Sequence, residues 1–301
     1  MKDVRADLTA VSLAPSRHGT IADYIHLTKP RLNLLVVASC AAGYYLGSSE
    51  GTNLTEMTLT VAGTALVAAG AAVFNQLLEQ RTDGLMRRTR GRALPDGRVS
   101  AGDAGLFGSA LSAGGLALLM AAGGFLAASL ALATLVTYIG IYTPLKRRSP
   151  IATVVGAVPG ALPPLIGWTA SHGSISAGGV ALFGIVFFWQ IPHFMAIAWM
   201  YRDDYAKAGF PMLPVLDPTG RRAARQAVMY AAALLPMSTV PVLVGLSGHV
   251  FLYIALLVGT VLFWLAARFA SQRTDDSARL LFLGSIAYLP ILWIAMIANR
   301  L

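Results

Sequence analysis

The chain alternates between long stretches without Asp, Glu, Lys or Arg and short segments crowded with them. The charge-free runs are Leu32–Ser49, Met57–Leu78, Ala104–Leu145, Ser149–Tyr201, Gln226–Ala267 and Leu280–Asn299. A helix needs roughly 20 apolar residues to cross the hydrocarbon of a bilayer. The runs at 32–49, 57–78 and 280–299 therefore predict one span each, and the three longer runs predict two each. Their breaks fall at Gly123-Gly124, at Ser171-His172-Gly173-Ser174 and at Ser247-Gly248-His249, all turn-forming sequences. The pattern predicts an all-α polytopic membrane protein with nine transmembrane helices.

Composition supports this. Hydrophobic residues make up 56% of the 301 residues and charged residues only 12%, against about 25% charged in an ordinary soluble domain. With nine spans the connections alternate sides. All 23 Lys and Arg residues except Arg300 then fall on one side, in the N-terminal segment and near 79–101, 146–148, 202–225 and 268–279. That bias assigns the N-terminus and the charged loops to the cytoplasm. The opposite loops carry only Glu50 and Glu56 as acids. The net charge of +9 is accounted for by this bias and by attraction to anionic lipid, so it does not point to nucleic acid. Cys40, the single cysteine, lies in the first span and excludes a disulfide framework. Residues 1–20 carry Asp3 and Asp7 and no apolar core. They read as a mobile cytoplasmic tail rather than a secretion signal, before one intramembrane unit over 21–301, in a bacterial inner membrane.

Two acidic groups stand close to helix ends on that cytoplasmic side. Asn75, Glu79 and Asp83 are spaced i, i+4, i+8. Four residues turn a helix by about 400°, so the three side chains form one stripe that drifts about 40° per step. Asp203 and Asp204 follow span 6, four spans later. The layout suggests an internal repeat of two four-helix units plus a ninth helix. Asp and Glu contribute little to topology, so these acids call for another purpose. Carboxylates and an amide oxygen converging from two helices suit Mg²⁺, which binds through one or two carboxylates plus substrate phosphates. Arg88, Arg92, Lys146, Arg147 and Arg148 stand nearby to receive phosphate oxygens. Taken singly, the arginines are also ordinary topology signals.

Span 6 contains WQIPHFMAIAWMYRDDY. His193 is eleven residues before Asp204, about 16 Å along an unbroken helix and so inside the membrane. Ionisable groups there face a cavity or a partner, and Pro192 beside it weakens the helix. The residues leave open a ligand contact, a metal ligand, an acid–base group or a structural hydrogen bond. Span 5 carries Pro159, Pro163 and Pro164 with Gly156 and Gly160. It predicts either a cavity-lining helix or a kinked packing helix.

A diphosphate–Mg²⁺ site at the mouth of a membrane cavity calls for a substrate with a charged head and a hydrocarbon tail. A prenyl diphosphate meets both demands. Metal and arginines would stabilise charge on the leaving diphosphate, and a dry, aromatic pocket would protect the allylic cation.

The residues also carry a resemblance. NQLLEQRTDGLMRRTRGRALP, from Asn75, resembles the first signature of the UbiA-type intramembrane prenyltransferases, Asn-x-x-x-Asp-x-x-x-Asp, with Met86, Arg88, Thr89 and Arg92 completing it. YTPLKRRSP, Tyr142 to Pro150, resembles the second cytoplasmic motif of the family, with Tyr142 and Lys146 at its key positions. Trp189 to Pro214 is similar to the third motif as found in the members that farnesylate haem. Glu79 departs from the pattern, which usually has Asp there.

The resemblance implies a nine-helix bundle around a central cavity, with the two acidic motifs facing each other across its mouth. It implies transfer of a farnesyl group from farnesyl diphosphate to the 2-vinyl group of haem b, with addition of water. Asn75, Glu79 and Asp83 would hold Mg²⁺–diphosphate from one side, and Asp203 and Asp204 from the other. Arg88, Arg92, Lys146 and Arg147 would bind diphosphate oxygens, Tyr142 would orient the diphosphate or stabilise the cation, and His193 would contact haem at iron or at a propionate. A downstream haem A synthase or oxidase-assembly protein is the partner this implies for the product. Competing readings are a UbiA-type enzyme acting on an aromatic quinone precursor, a transporter built around span 5 and His193, and a haem-binding chaperone without catalysis.

Overall fold

The computed structural model describes residues 19–49 and 51–301. The expected tail before Gly19, with Asp3 and Asp7, and the outer-loop Glu50 lie outside the described residues.

Helix follows helix, with starts set by local chemistry. Thr20 opens α1 (Ile21–Leu27) with a capping box, its hydroxyl accepting from the Asp23 N–H while the Asp23 carboxylate accepts from the Thr20 N–H. Pro30 occupies the first turn of α2 (Pro30–Gly47). Asn53 caps α3 (Leu54–Asp83) and Ser100 caps α4 (Ala101–Ala122). α5 (Gly124–Val136) continues through a π-helical turn, Thr137–Tyr142, into α6 (Thr143–Leu145). Then come α7 (Ala152–His172), α8 (Ala177–Met200), the short α9 (Arg202–Lys207) and α10 (Leu213–Leu216), and finally α11 (Arg221–Leu243), α12 (His249–Gln272) and α13 (Asp275–Ala298).

The expected breaks are where the chain turns. Gly124 and Gly173 have φ of 79° and 78°, left-handed backbone that glycine adopts without strain. Eight segments among the described residues are long and apolar enough to cross a membrane: α3, α4, α5 through α6, α7, α8, α11, α12 and α13. The ninth expected span is α2. It has 18 residues, and its first turn carries Arg31 and Asn33, so it is a shorter and less apolar element than the other eight.

Neighbour relations repeat along the bundle. α3 lies against α4 as α8 lies against α11, and α4 against α5 as α11 against α12. This is the adjacency that two four-helix units would share. The joint between the units is α2 on α7, where small residues let backbones meet. A Cβ at Gly167 would run into the Cys40 carbonyl oxygen, and one at Gly43 into the Pro164 carbonyl. The three prolines of α7 do not interrupt it. The helix is continuous from Ala152 to His172, and Pro159, Pro163 and Pro164 are all buried. The helix packs against α2, α5 and α8. α8 runs through the largest apolar cluster, with Ile185, Ile191, Leu234, Phe251 and Leu289 among its buried members. Phe125, Leu257, Trp264 and Ile294 point outward, which a lipid solvent favours.

Candidate active site

α3 stays helical to Asp83, so Asn75, Glu79 and Asp83 do lie on one stripe, and all three are buried. A buried carboxylate needs a compensating charge, and each position has its own. Lys29 Nζ donates to Asn75 Oδ1 at 3.1 Å. Lys146 Nζ lies 3.1 and 3.3 Å from the two oxygens of Glu79. Arg92 Nη1 is 2.7 Å from Asp83 Oδ2. The other oxygen, Asp83 Oδ1, is buried and has no hydrogen-bond partner.

Two hydrogen bonds shape the loop that brings Arg92 back. Thr89 Oγ1 donates to the Asp83 carbonyl at 2.8 Å, and Gln80 Nε2 donates to the Leu94 carbonyl at 2.9 Å. Lys29, Arg87, Arg88, Arg90 and Arg92 then line an open cleft of about 620 Å³. Arg88 also lies over the rings of Tyr201 and Tyr205, at 4.5 and 5.9 Å. Arg147 Nη2 donates to the Leu78 carbonyl at 2.5 Å. Arg148 is exposed and makes no ion pair with the described residues.

Lys29 was not singled out by sequence pattern, which counts it only among the basic residues of the N-terminal segment. Its backbone sits at φ 49°, ψ 56°, a region that costs a non-glycine residue about 1 kcal/mol. The following Pro30 restricts it further. Burial pulls its ammonium down to about 8, with the Arg92 charge adding to the effect and Glu79 opposing it. At Lys146, just past α6, burial is the largest influence and opposes the charge, but Glu79, Tyr205 and Tyr138 together outweigh it. That ammonium is held above its ordinary range.

The π turn places the next group. Tyr138 and Tyr142 stack with centroids 5.2 Å apart. Thr143 Oγ1 donates to the Tyr138 carbonyl at 2.8 Å and accepts from Asn75 Nδ2 at 3.3 Å. π turns recur at functional sites because they re-aim side chains within a helix. Gly156 of α7 makes room for the Tyr142 ring: a Cβ there would come within 2.5 Å of it.

Asp203 and Asp204 occupy the first turn of α9, the former exposed and the latter half-buried. Neither is ion-paired among the described residues. Their helix does approach the first motif, since Lys146 Nζ lies 6.0 Å from the Tyr205 ring and 4.6 Å from that of Phe210. Among the described residues, no group of three or more His, Cys, Asp or Glu is close enough together to hold a metal ion. The acids of the two expected motifs, Glu79 and Asp83 on α3 and Asp203 and Asp204 on α9, are therefore not gathered into one such group. Glu79 and Asp83 are compensated one by one, by Lys146 and Arg92, and like charges gain nothing from closer approach.

His193 is half-buried in α8, between the rings of Trp189 and Phe282 at 5.2 and 5.0 Å. Its Nδ1 is 2.8 Å from Ser285 Oγ. The 16 Å separation from Asp204 assumed one unbroken helix. Instead α8 ends at Met200, and Tyr201 (φ −112°, ψ 21°) turns the chain into α9.

A lipid-facing helical bundle whose one end gathers buried carboxylates with lysines and arginines defines an integral membrane protein equipped to receive an anionic head group. Residues 36–294 match the UbiA prenyltransferase family, and the chain belongs to that family. It is similar to the protoheme IX farnesyltransferase of Solibacter usitatus, 44% identical over 287 residues, covering 92% of this chain and 98% of that one. Among solved structures it resembles a digeranylgeranylglyceryl phosphate synthase, with TM-score 0.78 and 17% identity over 93% of this chain and 98% of that one. A UbiA homolog from Archaeoglobus fulgidus bound to GPP and Mg²⁺ gives TM-score 0.62 at 17% identity, over 91% of this chain and 99% of that one.

Proposed function

We propose that this protein transfers the farnesyl group of farnesyl diphosphate to the 2-vinyl group of haem b with addition of water, giving haem O and diphosphate. The observation that carries the reading is 44% identity to a protoheme IX farnesyltransferase over nearly the full length of both chains. In the reaction the bond between the allylic carbon and the diphosphate oxygen breaks, and the diphosphate leaves with the electron pair. The vinyl π electrons form the new carbon–carbon bond. Water captures the resulting cation beside the porphyrin ring and releases a proton.

The chain's own groups divide this work. Arg88, Arg92, Lys146 and Arg147 hold diphosphate oxygens and stabilise the charge that grows on them. Lys29, which reaches the same stripe, belongs with them. Tyr142, held by the π turn against Gly156, orients the head group. His193 contacts haem from α8. The chemistry of the donors supports Mg²⁺: Asp83 Oδ1 is buried without a partner, and the oxygens of Asn75, Glu79, Asp203 and Asp204 are of the hard type this ion takes. When bound, Mg²⁺ supplies Lewis-acid stabilisation of the leaving diphosphate. The solved neighbour that binds GPP and Mg²⁺ has the same fold. The lysine and arginine bias supports a cytoplasmic mouth in a bacterial inner membrane, with residues 21–301 acting as one unit.

Purified protein given haem b, farnesyl diphosphate and Mg²⁺ is expected to yield haem O by mass spectrometry, and to lose that yield with a chelator. Prenylation of 4-hydroxybenzoate with haem b left unchanged would overturn the reading.

A further inference from the structure

His193 and Ser285 lie 92 residues apart, on α8 and α13. Their contact fixes more than a position. Ser285 Oγ is 2.8 Å from His193 Nδ1 and also 2.7 Å from the carbonyl oxygen of Phe282, one turn earlier in its own helix. A serine hydroxyl has one proton to give. Given to Nδ1, it would leave two oxygens at 2.7 Å with no proton between them. Given to the Phe282 carbonyl, it leaves an Oγ lone pair free to accept from Nδ1–H. Both contacts are satisfied only in the second arrangement.

The ring's other nitrogen follows from this. His193 lies against the rings of Trp189, Phe282 and Phe194, and none of its partners among the described residues is charged. An imidazolium has no compensation there, so the ring is neutral. A neutral imidazole with a proton on Nδ1 carries a bare lone pair on Nε2. Nε2 has no hydrogen-bond partner among the described residues, and the side chain is only half-buried. Ser285 is held at its other end too, because Trp189 Nε1 donates to its carbonyl oxygen at 2.7 Å. The ring that stacks on His193 and the hydroxyl that sets its proton are thus tied together.

We propose that Ser285 is a positioning residue that holds His193 in the Nδ1–H tautomer, so that Nε2 offers its lone pair to the iron of a haem. This rests on the haem reading above and decides between its two contacts. A propionate is an acceptor and needs an N–H, which Nε2 in this tautomer does not have; iron needs a lone pair. Histidines that bind metals through one nitrogen ordinarily donate the other N–H to an acceptor, and loss of that acceptor lowers metal affinity by about 10- to 100-fold.

The full-length protein in nanodiscs, loaded with haem b, provides the test. Resonance Raman of the ferrous form should show an iron–histidine stretch, absent in His193→Ala. Ser285→Ala should shift that stretch and weaken haem binding by about 10- to 100-fold, and Ser285→Thr, which keeps the hydroxyl, should restore both. Nitrogen NMR of the histidine-labelled parent without haem, with His193→Ala marking the signal, reports the tautomer with no mutation at Ser285. A proton on Nε2, or an iron–histidine band that survives His193→Ala or is unmoved in Ser285→Ala, overturns the proposal. Haem O production is followed in the same preparation. A parent that makes haem O without a histidine band refutes the ligation alone; a parent that neither binds nor farnesylates haem refutes the functional reading with it.

Discussion

Glu79 gives both carboxylate oxygens to one ammonium, that of Lys146, 67 residues later in the chain. Glu79 is also where the sequence departs from the usual aspartate of the family motif. Its extra methylene is spent on a two-pronged contact between α3 and the segment after α6. Both side chains are largely buried, so removing one partner strands the other.

Lys146→Met is therefore expected to lower stability by about 3 kcal/mol. Glu79→Gln with Lys146→Met should regain most of that while remaining inactive. Thermal unfolding of the three proteins in one detergent separates the two effects. A single variant as stable as the parent would show that the pair is solvated in solution.

Asp83→Asn keeps the shape of the side chain and removes its charge. Arg92 then faces a neutral amide, and the partnerless oxygen no longer attracts a cation. Diphosphate release should fall by about 100-fold or more with folding retained. Turnover at the parent rate would remove Asp83 from the site.

Gly156→Ala places a methyl group 2.5 Å from the Tyr142 ring, and the ring, not the backbone, is the part that yields. Stability should drop by only about 1 kcal/mol, whereas kcat should fall by about 10- to 100-fold as the ring leaves its position. Steady-state kinetics beside a melting curve decides this, and a loss of stability without loss of kcat would deny Tyr142 its role.

Asp23 ties α1 to the loop after α3. The Thr20 backbone N–H, and behind it Arg98, hold its carboxyl below the ordinary range against the opposing effect of burial. The folded state thus favours the ionised form. Its contribution is complete above the ordinary value of about 4 and is lost as pH falls through the lower folded value. The stability gap between parent and Asp23→Asn should be constant from neutral pH to about pH 5 and close below about pH 3. A gap that persists unchanged in acid would mean Asp23 acts by shape alone.

Much of this was legible in the chain. Charge-free runs gave the long helices because lipid enforces their length, and the breaks fell where glycine can turn the backbone. The stripe of Asn75, Glu79 and Asp83 was legible because helical periodicity is local. Eight of the nine expected spans are long and apolar enough to cross a membrane among the described residues, and α2, a shorter and less apolar helix, stands where the ninth was expected. Span 5 was ambiguous because prolines mark a weak ladder without saying whether neighbours or water compensate it.

Other features had no local signal. The break at Tyr201 follows no proline or glycine. Lys29 meets Asn75 across 46 residues and Asn75 meets Thr143 across 68, and nothing periodic connects such positions. Local sequence determined which segments enter the membrane, which face of α3 carries the acids, and which loops carry the cations. Tertiary structure alone decided which cation compensates each acid, which oxygen of Asp83 is left free, and which nitrogen of His193 keeps its lone pair. Insertion and helix formation are set by the solvent and by hydrogen bonds within four residues. Charge compensation and proton placement depend on groups that meet only after the helices have packed.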